Sequence, residues 1–297
     1  KPSSAASDVY KRQQWCCVQK KADLVPPVLK LLWILLGTGE VHRDQHIPLG
    51  VRSRLRLFAA QCILKLATCD AYASLILPRM GRLSYALQDE CFQVRMHLLH
   101  DLLLYLMRDE LPTEFHAAIF LVAFDPEDEP RVQVASYTRR LQVLPPIVRH
   151  ERLERIIVRF LHLLAHHPDL NAESPQTLCS FARYLEFYLA CVACETNIGV
   201  LARFSACVRT YIDLSPSEPS VENSRPLYAM AELAQFLIQR LADNHGWTIY
   251  PVDEEAPCPK DILRSTGTIA RSVLDGEVWE LLQQQPRRHR DKKTKVA

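Results

Sequence analysis

The chain holds 297 residues, 48% apolar and 24% charged, with a net charge of +2, which excludes an intrinsically disordered chain and allows one large core or two ordinary ones. Its longest apolar run, Val28 to Leu36, is interrupted by Lys30 and falls short of the roughly 20 residues that a membrane-spanning helix needs. Ten cysteines without a visible secretory signal point to a reducing intracellular compartment rather than a disulfide scaffold.

Only eight glycines occur, and none between Gly81 and Gly199. Tight hairpins and phosphate-cradling loops need the positive φ that glycine supplies, so a glycine-free stretch of this length favours helices. Prolines act as punctuation instead, at Pro26-Pro27, Pro48, Pro78, Pro112, Pro126, Pro145-Pro146, Pro168, Pro216 and Pro226, positions suited to helix starts and turns.

In chain order, residues 1–13 are polar, lack a period and lack an initiating Met, and are expected to be a non-native leader on a piece of a longer protein. Helices are predicted over 27–36, 52–68 and 78–88. A further helix opens at Cys91, where Val94, Leu98, Leu102 and Tyr105 form an apolar stripe. Helices over 113–124 and 130–141 follow. The next, over 151–167, carries the stripe Leu153, Ile156, Ile157, Phe160, Leu161 and Leu164. Helices over 176–194, 199–213 and 227–244 complete a solenoid that is expected to span 14–245. Residues 246–285 are expected to form an irregular C-terminal extension. The end, 286–297, sets Arg287, Arg288, Arg290, Lys292, Lys293 and Lys295 against Asp291 alone, so it carries +5 and the remainder −3. A segment so basic and without apolar period is expected to be a disordered tail giving a weak, salt-sensitive contact with DNA.

An apolar residue followed by Arg opens successive helices at Leu55-Arg56 and Val94-Arg95, with a degenerate copy at Pro130-Arg131. Acidic turns precede two of them, at Asp89-Glu90 and at Asp125 to Glu129. The spacings of 39 and 36 residues approach the roughly 40 of HEAT and armadillo repeats. The fold class is therefore all-α, a HEAT/armadillo-like solenoid of stacked antiparallel helix pairs. In such a stack the Arg of one repeat can reach the acidic turn of its neighbour.

The search for chemistry yields little. Cys191 and Cys194 have metal or redox spacing but no second pair. His162 and His166 stand four apart on one helix, yet Leu163, Leu164 and Ala165 leave no general base between them; a polar helix face or a helix-end His is the better account. Gly37-Thr38-Gly39 lacks the rest of a phosphate loop. No catalytic residue, cofactor, metal, membrane contact or small-molecule substrate is expected. The residues that suggest binding are Arg149, Arg152, Arg155 and Arg159, at helical spacing opposite the apolar stripe, with Arg139 and Arg140 ending the helix before. They could form a basic groove that receives an acidic peptide or a polyanion, or a solvated face paired with Glu151 and Glu154.

The run Arg54 to Ala67, then Gln88 to Arg95, Leu111-Pro112, Ala117 to Pro126 and Leu161 to Leu170 resembles, in that order, the C-terminal part of the precocious-dissociation-of-sisters family. Those are large HEAT-repeat regulators of cohesin, and the resemblance covers residues 50–245. It implies a non-enzymatic, nuclear, chromosome-associated scaffold that binds the kleisin subunit of cohesin and regulates sister chromatid cohesion. Another HEAT scaffold, such as a transport receptor, adaptor or phosphatase regulatory subunit, is the alternative. Pro130 departs from the family pattern and suggests that the third repeat starts late.

Overall fold

The computed structural model describes residues 25–40 and 47–284; the leader 1–13 and the basic tail 286–297 lie outside them. Helix α1 (Val25–Thr38) ends where Gly39 takes a φ of +66°. A Cβ at Gly39 would stand 2.8 Å from the Arg52 carbonyl oxygen on α2 (Leu49–Ala67). The two helices pack together, and α2 in turn packs on α5 (Phe92–Met107). Between them, α3 (Asp70–Ile76), α4 (Met80–Ser84) and short 3₁₀ turns replace the single helix expected over 78–88.

Residues Thr113–Phe124 form a twelve-residue 3₁₀ helix in which Phe115 through Ala123 are all buried. From Phe115 to Phe124 its sequence is apolar apart from His116, so it lies inside. It packs against α5, α8 (Ile157–Ala165) and α9 (Pro175–Val192), and Phe120 meets both Phe160 and Tyr188. The helix before them, α6 (Asp128–Gln142), starts with Pro130 in its first turn, where the missing N–H costs no hydrogen bond. The repeat therefore does not start late. The expected helix 151–167 is three pieces: α7 (Pro146–Arg149), a π-turn (His150–Glu154) and α8.

Ser174 caps α9, its Oγ accepting from the Thr177 N–H at 3.3 Å, with Pro175 in the first turn. After α10 (Ile198–Cys207) the chain leaves helix for β1 (Tyr211–Asp213), shortening the helix expected over 199–213. Helix α11 (Arg225–His245) ends on Gly246 at φ 68°, and the Trp247 N–H reaches back to the Ala242 carbonyl at 2.9 Å. Residues beyond it return along the stack: β2 (Leu263–Ser265) pairs antiparallel with β1, Asp213 opposite Leu263. The buried Glu232 carboxylate accepts the N–H groups of Val273 and Leu274 and the Ser272 hydroxyl. Then α12 (Gly276–Gln284) buries Val278 and Leu282 against α9, a helix within the stretch expected to be irregular. The architecture is an all-α, HEAT-like solenoid with one three-residue β-ladder among the described residues.

The repeat turns hold the stack in register. Arg56 on α2 donates to Asp89 through Nε at 2.6 Å and Nη2 at 2.9 Å. Arg95 on α5 donates to Asp125 at 2.8 Å and also meets Glu127. Each Asp simultaneously accepts a backbone N–H two residues on, from Cys91 and Glu127 respectively. The degenerate third copy turns back instead, Arg131 pairing with Asp128 and the Asp125 carbonyl.

Candidate partner-binding surface

The six arginines singled out from the sequence fall into three environments. Arg139 and Arg140 end α6 exposed, with no acidic partner among the described residues. Arg139 Nε donates to the Ala135 carbonyl at 3.1 Å, and Arg140 Nη1 lies 3.6 Å from Met107 Sδ. Three apolar residues are exposed in the same part of the chain or in contact with it: Met107 at the end of α5, and Val143 and Ile147, 84% and 79% exposed, which follow α6.

Arg149, Arg152 and Arg155 are half-buried and paired. Arg149 Nε stands 3.5 Å from Glu154, Arg152 Nη2 2.9 Å from Asp109, and Arg155 Nε 3.3 Å from Glu151. Two of these partners, Glu151 and Glu154, are the ones that helical spacing offers.

Arg159 differs from the expectation of an open face. It is 3% exposed, and both terminal nitrogens donate to Asp261 at 2.8 Å, a bidentate pair. The returning segment covers it: Glu254 also lies 2.8 Å from His150 Nε2 and 3.5 Å from Arg155, while His150 Nδ1 contacts Glu154 at 2.6 Å. Gly199 makes room for this path, since a Cβ there would stand 2.6 Å from the Tyr250 carbonyl oxygen. Residues 253–261 thus lay an acidic strap along the C-terminal half of the arginine row, and the part left open runs from Arg139 to Arg152. Nothing within the helix signals that cover, because the two carboxylates lie about a hundred residues downstream.

His166 stands at the C-terminal end of α8, as a helix-end His, but His162 is not on a polar face. His162 is buried, and both rings turn to the buried Asp213: His162 Nε2 lies 3.3 Å from Oδ1 and His166 Nε2 2.6 Å from Oδ2. Their proximity holds the Asp213 carboxyl well below the usual carboxylate range despite the opposing effect of burial. Cys191 is buried with its thiol pushed up to about 11 by desolvation, whereas Cys194 is half-buried at the turn beyond α9. Elsewhere, a cleft of about 560 Å³ opens between the acidic turns and α9, lined by Phe124, Phe181, Tyr184 and His167. No helix among the described residues is long and apolar enough to cross a membrane.

The family model described as Sister chromatid cohesion protein PDS5 matches residues 9–264. The sister chromatid cohesion protein pds5 of Schizosaccharomyces pombe is 27% identical over 245 residues, 82% of this chain and 20% of the relative. That of Saccharomyces cerevisiae is 24% identical over 280 residues, 84% of this chain and 22% of the relative. The PDS5 homolog A of Danio rerio is 34% identical over 157 residues, 49% of this chain and 12% of the relative. The chain thus spans about a fifth of the length of the two yeast relatives.

Proposed function

Since the chain belongs to the family of the sister chromatid cohesion protein PDS5, we propose that it is a non-enzymatic stretch of helical scaffold that binds the kleisin subunit of cohesin and regulates sister chromatid cohesion in the nucleus, on chromosomes. Family membership carries this reading, supported by the cohesion proteins that match across most of the chain. The work of such a scaffold is recognition, through an extended surface that engages peptide segments at a few anchors.

The anchors are Arg139 and Arg140 with the exposed Val143 and Ile147, flanked by Arg149 and Arg152. Unpaired cations beside apolar side chains suit an acidic amphipathic segment. Arg155 and Arg159 contribute through the strap that they hold rather than by direct contact. The basic residues Arg287, Arg288, Arg290, Lys292, Lys293 and Lys295 add a weak DNA contact.

The test is binding of labelled kleisin segments to the 297-residue chain at low and moderate salt. The double reversal Arg139→Glu with Arg140→Glu is expected to slow association by about tenfold at low salt and less at high salt. A wild-type chain that binds no kleisin segment removes the partner, and an unchanged association rate in the double reversal removes this surface. Removing 286–297 is expected to abolish low-salt DNA binding alone.

A further inference from the structure

Three side chains from two separate elements converge beside the strap with ligand atoms all within 4.8 Å of one another: His162 on α8, His166 at its C-terminal cap, and Asp213 from β1. From this geometry we propose that His162, His166 and Asp213 form a binding site for a first-row transition-metal dication, zinc foremost. Bonds of about 2.0–2.1 Å to a tetrahedral metal place neighbouring donor atoms roughly 3.3 Å apart. His162 Nε2 and Asp213 Oδ1 already stand at 3.3 Å, and His166 Nε2 needs only to withdraw slightly from its 2.6 Å contact with Oδ2.

The donor set is two imidazoles and one carboxylate, a combination suited to zinc and its neighbours rather than to calcium or magnesium. The spacing four apart on a helix puts both rings on one face, and their centroids are 4.5 Å apart. The carboxylate is fixed from behind. The Ser215 N–H donates to Oδ1 at 2.8 Å, the Asp213 N–H donates to Ser224 Oγ at 3.0 Å, and the strand itself is paired with β2. Such outer contacts orient a ligand before the metal arrives. Ser215 Oγ, 2.9 Å from His162 Nε2, is a further polar atom at the cluster.

Charge also favours a cation. Asp213 is 2% exposed, and among the described residues no Lys or Arg lies within ion-pair distance of it. Arg159, three residues before His162, spends both terminal nitrogens on Asp261. A dication meets the carboxylate directly, where two imidazoles offer only hydrogen bonds. Access exists on one side, because the His166 side chain is 35% exposed. Bound there, the metal cross-links α8 to the strand that anchors the returning segment, so its effect is on the stability of that junction.

The test strips the reduced, 297-residue chain with a chelator and titrates it with zinc by calorimetry and with cobalt by visible spectroscopy. One equivalent is expected to bind, to raise the unfolding temperature, and to give tetrahedral cobalt bands without thiolate charge transfer. That last feature separates the site from the ten cysteines. Loss of an outer-shell partner alone costs about 10- to 100-fold in affinity, so His166→Gln is expected to weaken binding by about 100-fold or more while the helical spectrum survives. His162→Gln gives the second reading at the buried ligand. No stoichiometric binding, cobalt bands of thiolate type, or undiminished zinc affinity in His166→Gln each overturns the site and leaves a hydrogen-bonded triad.

Discussion

Arg95 on one repeat helix donates through Nε to Asp125 in the next repeat's turn at 2.8 Å, and both side chains are almost wholly buried. Arg56 repeats the arrangement with Asp89 one turn earlier in the stack. A buried pair is weak evidence of net stability, but removing one member strands a desolvated charge and costs about 3–5 kcal/mol. Asp125→Ala leaves Arg95 with Glu127 as its acidic partner, and is expected to lower the unfolding free energy read from urea titration by about 3 kcal/mol, the low end of that range. The double variant Arg95→Met with Asp125→Ala is expected to recover a large part of it. Equal destabilisation by both variants would show that the turn, and not the ion pair, matters.

Gly199 sits in the first turn of α10 where the returning strap crosses. Its Cβ would meet the Tyr250 carbonyl oxygen at 2.6 Å and Val252 Cγ2 at 3.2 Å. Backbone cannot yield as a flexible side chain does, so Gly199→Ala is expected to lift residues 249–252 and cost about 1–3 kcal/mol. Hydrogen exchange should then rise in the strap, at Tyr250 and along β2, while α5 and the 113–124 helix keep their protection. Uniform loss of protection would place the strain elsewhere.

Short-range signals carried most of the fold. The Leu55-Arg56 and Val94-Arg95 pairs and the acidic turns lie close to the helices they mark, so the repeat spacing was legible and the Arg-to-Asp ladder followed from it. Residues 113–124 were legible as a helix because their apolar run contains no glycine, although its 3₁₀ winding left no trace in composition. What the sequence hid is long-range. The face of Arg155 and Arg159 has the period of an open stripe, and only Glu254 and Asp261, far downstream, close it. The His162 and His166 pair was visible, but the third member of the cluster, Asp213, follows an intervening helix pair and ends a strand too short to show alternation. Helix α12 escaped because its buried residues, Val278 and Leu282, amount to a single apolar turn.

His116 lies within the 113–124 helix, 1% exposed, with Nδ1 2.8 Å from the Thr113 carbonyl oxygen and Nε2 2.9 Å from Tyr137 Oη. Burial pushes its pKa down to about 4, against about 6.5 in the unfolded chain. The unfolded state therefore takes up the proton first as the pH falls. Stability from this group is complete above about pH 6.5 and is lost progressively toward pH 4, by about 3 kcal/mol in all. His116→Gln keeps a polar partner for Tyr137 without titrating, so its stability is expected to fall less steeply between pH 7 and pH 4.5. Parallel curves for the two proteins would assign the acid sensitivity to other groups.

The arginine row offers the sharpest separation between fold and recognition. Read as one helical stripe, Arg152 and Arg159 look equally reversible, and exposed reversals usually change stability by less than about 0.5 kcal/mol. The structure divides the row. Arg159 is buried against Asp261, so Arg159→Glu sets two carboxylates together under the strap and is expected to cost about 3 kcal/mol or more. Arg139→Glu and Arg140→Glu change exposed cations without acidic partners among the described residues, and are expected to leave the unfolding midpoint within the range of surface substitutions. The exchanged pair Arg159→Asp with Asp261→Arg restores opposite charges at the same contact and should regain part of the loss, whereas simple steric damage would not be repaired. Urea unfolding of these variants, read beside the kleisin association rate, assigns each arginine. A stable Arg159→Glu chain would mean that the strap does not hold this face in solution, and it would return Arg155 and Arg159 to the open surface.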